Sequence, residues 1–351
     1  MTAGTARRRS LRTAVLAVVA GTAVACGGSG TTDPADPTGT AAPEEEGASR
    51  LAGEELWLNP EGHGPVAVEQ ARAEGRTEDA EALAPLAEQP TATWFATNDN
   101  PYPAVEEVSL AADAAGELPV LVAYNVPGRD CGLYSSGGAP DADAYLAWIG
   151  SFAAALGDRP AVVVLEPDAV PQALVGCPGV DAAARYEVLA QAVDILDRQP
   201  GARVYVDAGN ASWVQDLPAL ADALRRSGID AADGFALNVS NYETTEASTE
   251  YGTELSRVLE DGAPEGTPPA HFVVDTSRNG AGPPEDSGSE EGRWCNPPGR
   301  ALGEEPTTST DVPRLDALLW VKQPGDSDGT CGGGPPAGQW WPEAALELVA
   351  G

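Results

Sequence analysis

The chain has 351 residues, of which 42% are hydrophobic, and a formal net charge of −34 at pH 7. This length and apolar fraction are enough for one large core and fit a single barrel-sized domain. The strong negative charge argues against nucleic acid and anionic lipid surfaces as partners, whereas a neutral partner is compatible with it.

The first 25 residues are typical of a secretory signal peptide, because four arginines precede an apolar run at 14–20 and small residues follow. Residues 23–28 resemble a bacterial lipoprotein processing site, in which Cys26 would carry the lipid; an ordinary cleavage site with a stray cysteine is the alternative. Residues 26–50 are rich in Gly, Thr, Pro, Asp and Glu, and they predict a flexible tether. We therefore expect an exported protein, secreted or held at the cell surface by a lipid, with its folded domain at 51–351.

From residue 51 onward, strand and helix patterns alternate. An extended segment and a helical composition at 66–87 come first, and then seven predicted strands, separated by loops and helical segments, at 91–97, 119–125, 161–165, 203–207, 234–239, 271–275 and 317–322. Strand, loop and helix in repetition indicate parallel strands with right-handed crossovers. At this length the pattern favours a closed or nearly closed β/α barrel of about seven strands, with the functional site at the carboxyl ends of the strands.

The third predicted strand ends in a distinctive way. Its apolar run Val-Val-Val-Leu is followed by Glu166, Pro167 and Asp168. Proline ends the ladder, so the chain turns at Asp168 and leaves this carboxyl group at the tip of the strand. A structural helix cap is the alternative for one such aspartate, but other predicted strands also deliver acidic residues to the same rim, namely Asp130, Asp207, Asp275, Asp326 and Asp328. Crowded carboxylates raise one another's pKa, which marks a candidate site.

Aromatic and basic residues follow the strands at the same rim. Trp94, Trp213 and Trp294 are each more often core residues when alone, but together at one barrel mouth they suggest sugar rings stacking on indole faces. Lys322 is the chain's one lysine against 19 arginines, and it ends a predicted buried strand. The alternative is that its side chain extends outward to solvent.

Histidine and cysteine usage narrows the chemistry. The chain has two histidines: His63 lies in a Gly/Pro-rich loop, and His271, which opens an apolar strand, is expected to be structural. This small number of histidines disfavours a zinc site or a Ser-His-Asp hydrolase. Besides Cys26, an even number of cysteines remains at 131, 177, 295 and 331, which indicates an oxidising compartment and two bridges. The sequence alone permits three pairings. We expect no cofactor and no metal.

Several segments match one known family in unbroken order. The long matches are YNVPGRDC at 124–131 with SSGG at 135–138, and VLEPD at 164–168; shorter ones are WFA at 94–96, DAG at 207–209, NVSNY at 238–242, DTSRNG at 275–280, WC at 294–295 and WVK at 320–322. From residue 56 onward the chain resembles glycoside hydrolase family 6, the inverting β-1,4-glucanases, which include endoglucanases and cellobiohydrolases. The resemblance implies a distorted β/α barrel and a β-glucan or cello-oligosaccharide as substrate.

The resemblance assigns roles to five catalytic residues. Asp168 would be the general acid, and Asp130 beside it would raise its pKa. Tyr124 would favour a distorted sugar ring, and Ser136 would position the attacking water. Asp328 takes the place of the family's debated base. An acid and a base on opposite faces of the sugar are what hydrolysis with inversion requires.

Further roles follow from the resemblance by position. Sugar-binding positions fall on Trp94, Asp207, Asn210, Trp213, Asn241, Trp294, Lys322 and Asp326, and the expected disulfides are Cys131–Cys177 and Cys295–Cys331. Two residues depart from the family pattern: Asn210 replaces a histidine, and Asp326 replaces a glutamate.

A short, Gly/Pro-rich stretch at 328–341 and a polar, acidic loop at 280–294 predict an open cleft and endo action. We also expect a monomer. A cellobiohydrolase of the same family, or a surface lipoprotein that binds glycans without cleaving them, are the alternatives.

Overall fold

The structure is a computed structural model that describes residues 47–285 and 288–351. The predicted signal peptide, Cys26 and most of the predicted tether lie outside the described residues. The strands are β1 (Thr93–Phe95), β2 (Val120–Ala123), β3 (Ala161–Leu165), β4 (Ala202–Asp207), β5 (Gly234–Leu237), β6 (His271–Asp275) and β7 (Leu315–Leu319). The α-helices are α1 (His63–Ala73), α2 (Thr77–Ala87), α3 (Tyr102–Ala115), α4 (Ala142–Leu156), α5 (Ala169–Val175), α6 (Ala182–Leu196), α7 (Leu217–Arg226), α8 (Thr245–Asp261), α9 (Glu291–Trp294) and α10 (Pro342–Ala350).

All seven strands lie side by side in chain order, and every neighbouring pair is parallel. The sheet curls so that its two edges approach each other: the backbone N–H of Ala92 donates to the carbonyl of Trp320 at 2.9 Å. The Trp94 indole N–H donates to the Val321 carbonyl across the same seam at 2.8 Å. This is the predicted distorted barrel, and it brings the carboxyl ends of all seven strands to one rim.

Burial explains why the strands read as apolar runs. Every residue of β3 is buried, as expected for a parallel strand covered on both faces. One set of strand side chains fills the barrel interior, including Val122, Val164 and Val273. The opposite set packs under the surrounding helices. Aspartates begin three of these helices: Asp141, Asp181 and Asp216 each accept a hydrogen bond from the backbone three residues on, a cap that contributes about 1 kcal/mol.

Two of the differences between the predicted and observed elements have a local cause. The pattern at 66–87 forms two helices, because the chain turns at Gly75 with φ +74°. The last strand was predicted at 317–322 but lies at Leu315–Leu319, because Asp316 interrupts the apolar run although its side chain is fully buried.

Asp316 is the centre of a polar cluster inside the barrel, at the end opposite the rim formed by the carboxyl ends of the strands. Its carboxylate accepts hydrogen bonds from the Tyr205 hydroxyl at 2.7 Å and from the Arg50 backbone N–H at 2.7 Å. His271 Nδ1 lies 2.8 Å away, so His271 has the expected structural role. The Ser49 hydroxyl donates to the Asp316 carbonyl. Ser49 and Arg50, placed by sequence in the tether, therefore pack against the barrel.

No helix within residues 47–285 and 288–351 has both the length and the hydropathy needed to cross a membrane.

Candidate active site

Asp168 lies directly after β3, where Pro167 has ended the strand. It adopts a left-handed backbone conformation with φ 69° and precedes the first turn of α5. Such conformations are uncommon outside glycine and concentrate at functional sites. The side chain is half-buried, and burial together with the nearby charge of Asp130 raises its pKa to about 7. Asp168 therefore holds a proton in mildly acidic solution, as a general acid must.

Asp130 lies in the loop after β2 and also has a positive φ, 57°. Its carboxylate accepts a hydrogen bond from the Ser135 backbone N–H at 2.6 Å. Burial raises the pKa of Asp130. The neighbouring Cys131 forms a disulfide with Cys177, as predicted. The bridge fixes the base of this loop beside α5, while Ser136 is exposed near the tip of the loop.

Tyr124 follows β2 and is buried, with its ring edge-on to Trp94 at a centroid distance of 5.4 Å. The Arg129 guanidinium lies 4.7 Å from the same ring and also donates to the carbonyls of Tyr124 and Ala96. Burial and the charge of Asp168 raise the pKa of Tyr124 well above its usual value, so the phenol stays protonated. Tyr124 is thus a buried, neutral group close to Asp168.

Three strand-end carboxylates serve the backbone. Glu166 is buried and accepts from the N–H groups of Asn125 and Val126, which ties β3 to the loop that carries Asp130. Asp207 accepts from the N–H groups of Asp168 and Gly209 at 2.9 and 3.0 Å. Burial raises the pKa of Glu166 to about 7. Burial and the charge of Asp168 also raise that of Asp207. These carboxylates position the rim loops.

Asp275 does the same on the other side of the barrel. It accepts from four backbone N–H groups, those of Ser240, Ser277, Val321 and Lys322. Asp207 and Asp275 are each only 1% exposed. The Asp207 carboxylate, predicted as a substrate-binding position, is buried and holds the backbone of Asp168.

Asp328 lies across the site from Asp168 in a different electrostatic environment. Its carboxylate is paired with the Arg278 guanidinium at 3.0 Å and the Lys322 ammonium at 3.1 Å. The Tyr242 hydroxyl donates to it at 3.1 Å. Burial alone would raise the pKa of Asp328, but the two cations outweigh burial and lower it to about 2. Asp328 is therefore an anion at any working pH, and Lys322 is turned inward toward it.

Asn296 is a functional candidate that sequence reasoning missed. Its backbone N–H donates to the Asp328 carboxylate, and its side-chain carbonyl accepts from the Asp328 N–H at 2.8 Å. The adjacent Cys295 forms the second predicted disulfide, with Cys331. The clue in the sequence was the position of Asn296 next to a bridging cysteine. Arg278 and Tyr242 were also outside the predicted site residues, although both lie within family-like segments.

The predicted sugar-binding residues differ in how much of each residue is exposed to solvent. Trp94, Trp213 and Trp294 are half-buried, which leaves part of each indole at the surface. Asn210 is only 6% exposed, and its side-chain oxygen accepts from the N–H and hydroxyl of Ser212, so this amide supports a turn. Asn241 is half-buried and donates to the Val239 carbonyl.

Asp326 is paired with His63, which the sequence places in a Gly/Pro-rich loop. Its Oδ1 lies 2.6 Å from His63 Nδ1, and the His63 side chain remains 42% exposed. The hydrogen bond and charge of Asp326 raise the pKa of His63, against burial and the charge of Lys322. The histidine ring also meets the edge of Trp340 at 6.3 Å. His63 thus joins Asp326 at the rim.

Comparisons with known proteins identify the family. The model of glycosyl hydrolases family 6 matches residues 51–351. This chain belongs to that family. It is therefore a glycoside hydrolase, and its curled seven-stranded sheet is the family's distorted barrel.

Individual relatives and a solved structure are consistent with this family assignment. The chain is 43% identical over 328 residues to Endoglucanase 1 of Streptomyces sp. (strain KSM-9), covering 90% of this chain and 81% of the relative. It is 44% identical over 271 residues to Endoglucanase A of Cellulomonas fimi, covering 76% of this chain but 55% of the relative, so it spans about half of that protein. A solved structure of endoglucanase Cel6 from Mycobacterium tuberculosis, in complex with methyl-cellobiosyl-4-deoxy-4-thio-β-D-cellobioside, is similar with a TM-score of 0.77 and 40% identity, covering 86% of this chain and 98% of the other.

Proposed function

We propose that this family 6 enzyme hydrolyses β-1,4-glucosidic bonds of cellulose and related β-glucans with inversion of configuration. The observation that carries the proposal is the contrast between two aspartates. Asp168 has a pKa raised to about 7 by burial and by Asp130, whereas Asp328 has one lowered to about 2 by its cations. Two carboxyl groups whose environments separate their pKa values are the usual acid and base assignment.

Asp168 is the proposed general acid, which protonates the glycosidic oxygen as the bond to the anomeric carbon breaks. Asp130 assists by its charge, because a nearby anion disfavours loss of the Asp168 proton. The left-handed turn and the hydrogen bond to Asp207 hold the acid at the strand end.

Asp328 is the proposed base. Its two cation partners keep it ionised but also make it a weak proton acceptor, so a chain of water that delivers the proton suits its environment. Ser136, which is exposed on the loop that carries Asp130, is the proposed residue that positions the attacking water. Inversion needs this water on the face of the sugar opposite the acid.

The remaining residues bind and shape the sugar. Tyr124 presents a buried, protonated phenol beside Asp168, which suits contact with a distorted ring. Trp94, Trp213 and Trp294 offer indole faces, and Lys322, Asp326 and Asn241 offer polar atoms at the rim. Asn210 and Asp207 support these groups from beneath.

Endo action is supported by the relatives named endoglucanases and by the solved endoglucanase structure. An open cleft admits the middle of a chain. A cellobiohydrolase would instead release cellobiose from an end, and a binding lipoprotein would release nothing.

One experiment separates these outcomes. The purified protein is incubated with carboxymethyl cellulose while viscosity and reducing ends are followed, and the fresh products of cello-oligosaccharides are examined by proton NMR. We expect steep loss of viscosity for few bonds cut, and α-anomers first. Early cellobiose with unchanged viscosity would assign exo action, initial β-anomer would refute inversion, and no new reducing ends would favour binding alone.

The setting of the enzyme is also a proposal. Two disulfides indicate folding in an oxidising compartment. A signal peptide at 1–25, a lipid on Cys26 and a tether that ends before Ser49 would hold a monomeric catalytic domain near the cell surface. Mass spectrometry of the membrane fraction, with a Cys26→Ser variant as control, tests the lipid.

A further inference from the structure

The Tyr134 side chain connects the loop after β2 with α9 and with the loop that carries Asp328. Tyr134 belongs to the loop that follows Asp130 and precedes Ser136, and its side chain is 37% exposed. Its hydroxyl donates to the Glu291 carboxylate at 2.9 Å, and its ring meets Trp294 with centroids 6.3 Å apart. Glu291 and Trp294 both belong to α9, beside the disulfide that fixes the Asp328 loop.

The same ring packs directly on Gly329. A Cβ atom on Gly329 would lie 2.3 Å from Cγ of Tyr134, which leaves no room for a side chain at this position. Gly329 also has φ 151°, a conformation that favours glycine. Because Gly329 directly follows Asp328, the Tyr134 ring joins the loop of Asp130 and Ser136 to the loop of the proposed base.

In the sequence of its own loop, Tyr134 directly precedes Ser135 and Ser136. The N–H of Ser135 binds the Asp130 carboxylate, and the N–H of Ser136 binds the Leu133 carbonyl at 3.2 Å. Arg129 binds the Ser135 carbonyl at 2.7 Å and so anchors the base of the loop. Between this anchor and the tip of the loop, Tyr134 supplies side-chain contacts to α9 and to the loop that carries Asp328.

We propose that Tyr134 is a positioning residue that docks on Gly329 and α9, closing the loop over the site and setting Ser136 opposite Asp328. The inference rests on the proposed function for its catalytic consequence, but the docking itself is a property of the chain. In this position the Tyr134 ring fills the space between the two loops and limits the access of bulk water to it.

Four variants isolate the contact. Tyr134→Ala removes ring and hydroxyl, Tyr134→Phe removes only the bond to Glu291, and Glu291→Gln weakens the same bond from the other side. Leu133→Ala is the matched control, because Leu133 is the adjacent residue and is 50% exposed. The Phe and Gln changes combined should cost no more than either alone, since both act on one hydrogen bond.

The first readout is independent of activity. Amide hydrogen exchange at Ser135 and Ser136 should be about tenfold faster in Tyr134→Ala than in the wild type, the scale expected for one aromatic contact and one hydrogen bond. Leu133→Ala should leave these rates unchanged. Equal exchange in the wild type and Tyr134→Ala would overturn the proposal, whether or not the protein cleaves glucans.

The second readout is kinetic. On cello-oligosaccharides Tyr134→Ala should lose about tenfold in kcat, and Tyr134→Phe should recover most of it because the ring still docks. If the loop opens in Tyr134→Ala, water around Asp130 screens its charge, and Asp130 then raises the pKa of Asp168 less. The alkaline limb of the pH profile, where the acid loses its proton, should therefore move to lower pH. Loss of activity with an unmoved pH profile and a lower Tm would make Tyr134 merely structural. A wild type without any glucanase activity would refute the proposed function and leave the exchange result to decide the docking.

Discussion

The backbone N–H of Asp168 donates a 2.9 Å hydrogen bond to the Asp207 carboxylate, which is buried at the end of the next strand. Asp207 thus fixes the backbone of the proposed acid, while burial and the charge of Asp168 raise the pKa of Asp207 itself. The carboxyl groups of the rim therefore have different roles: Asp207 holds the backbone, and Asp168, the proposed acid, keeps a proton for the substrate.

Asp168→Asn tests the acid directly. We expect turnover of cellulose to fall at least ~10²-fold, the scale of losing a general acid, with the fold intact by circular dichroism. The loss should be smaller on aryl glycosides, whose leaving groups need less protonation. Equal losses on both kinds of substrate would remove Asp168 from this role.

Asp130→Asn tests the source of the raised pKa. Because the charge of Asp130 helps to raise the pKa of Asp168 to about 7, its removal should lower that pKa. The alkaline limb of the kcat/KM profile, where the acid loses its proton, should then move to lower pH. An alkaline limb at the wild-type position would leave Asp130 without electrostatic influence on the acid.

Arg278→Gln tests the proposed base from the other direction. Arg278 is the first of two cations that lower the pKa of Asp328 to about 2, so its loss should raise that pKa. The acidic limb of the pH profile should move to higher pH in Arg278→Gln. In Arg278→Lys, which keeps the charge, this limb should lie close to its wild-type position. Activity should fall in both variants, because Arg278 also bonds the Ser240 carbonyl. Identical acidic limbs in wild type and Arg278→Gln would argue against Asp328 as the base.

How far the sequence could predict this molecule depends on where each residue's partners lie. β3 was placed to the residue because its apolar run is bounded by Pro160 and by Glu166-Pro167, which are local signals. β7 was shifted because Asp316 looks like a strand breaker until its partners Tyr205 and His271 are known. Those partners are 111 and 45 residues away, and no local pattern contains them.

The site shows the same division. Asp168 and Asp130 were identified because their motifs are contiguous. Asn296 was missed, since its role follows from a contact with Asp328 across 32 residues. The backbone partners of Asp207 could not be predicted, because a strand-end carboxylate gives the same sequence signal whether it faces the cleft or the backbone.

Asp316→Asn should destabilise the barrel without changing the chemistry. The carboxylate serves Tyr205, His271 and the Arg50 backbone in a fully buried position, and breaking such a network costs about 3–5 kcal/mol. We expect a lower denaturation midpoint in urea and near-normal kcat for the folded fraction. Tyr205→Phe, which removes one hydrogen bond, should cost about 1 kcal/mol. A neutral effect of Asp316→Asn would show that the amide replaces the carboxylate fully.

The pair of His63 and Asp326 should make stability depend on pH in a defined direction. The bond to Asp326 raises the pKa of His63, so the folded state holds the proton more tightly than the unfolded chain. This contribution is fully present below the ordinary histidine pKa of 6.5 and is lost as pH rises through the higher folded value. The wild type should therefore exceed His63→Gln in unfolding free energy by more at pH 5.5 than at pH 9, as measured by urea denaturation. The same comparison in an Asp326→Asn background should show no such difference, since the partner charge is gone. A pH-independent gap between wild type and His63→Gln would mean that the 2.6 Å contact involves a neutral imidazole throughout.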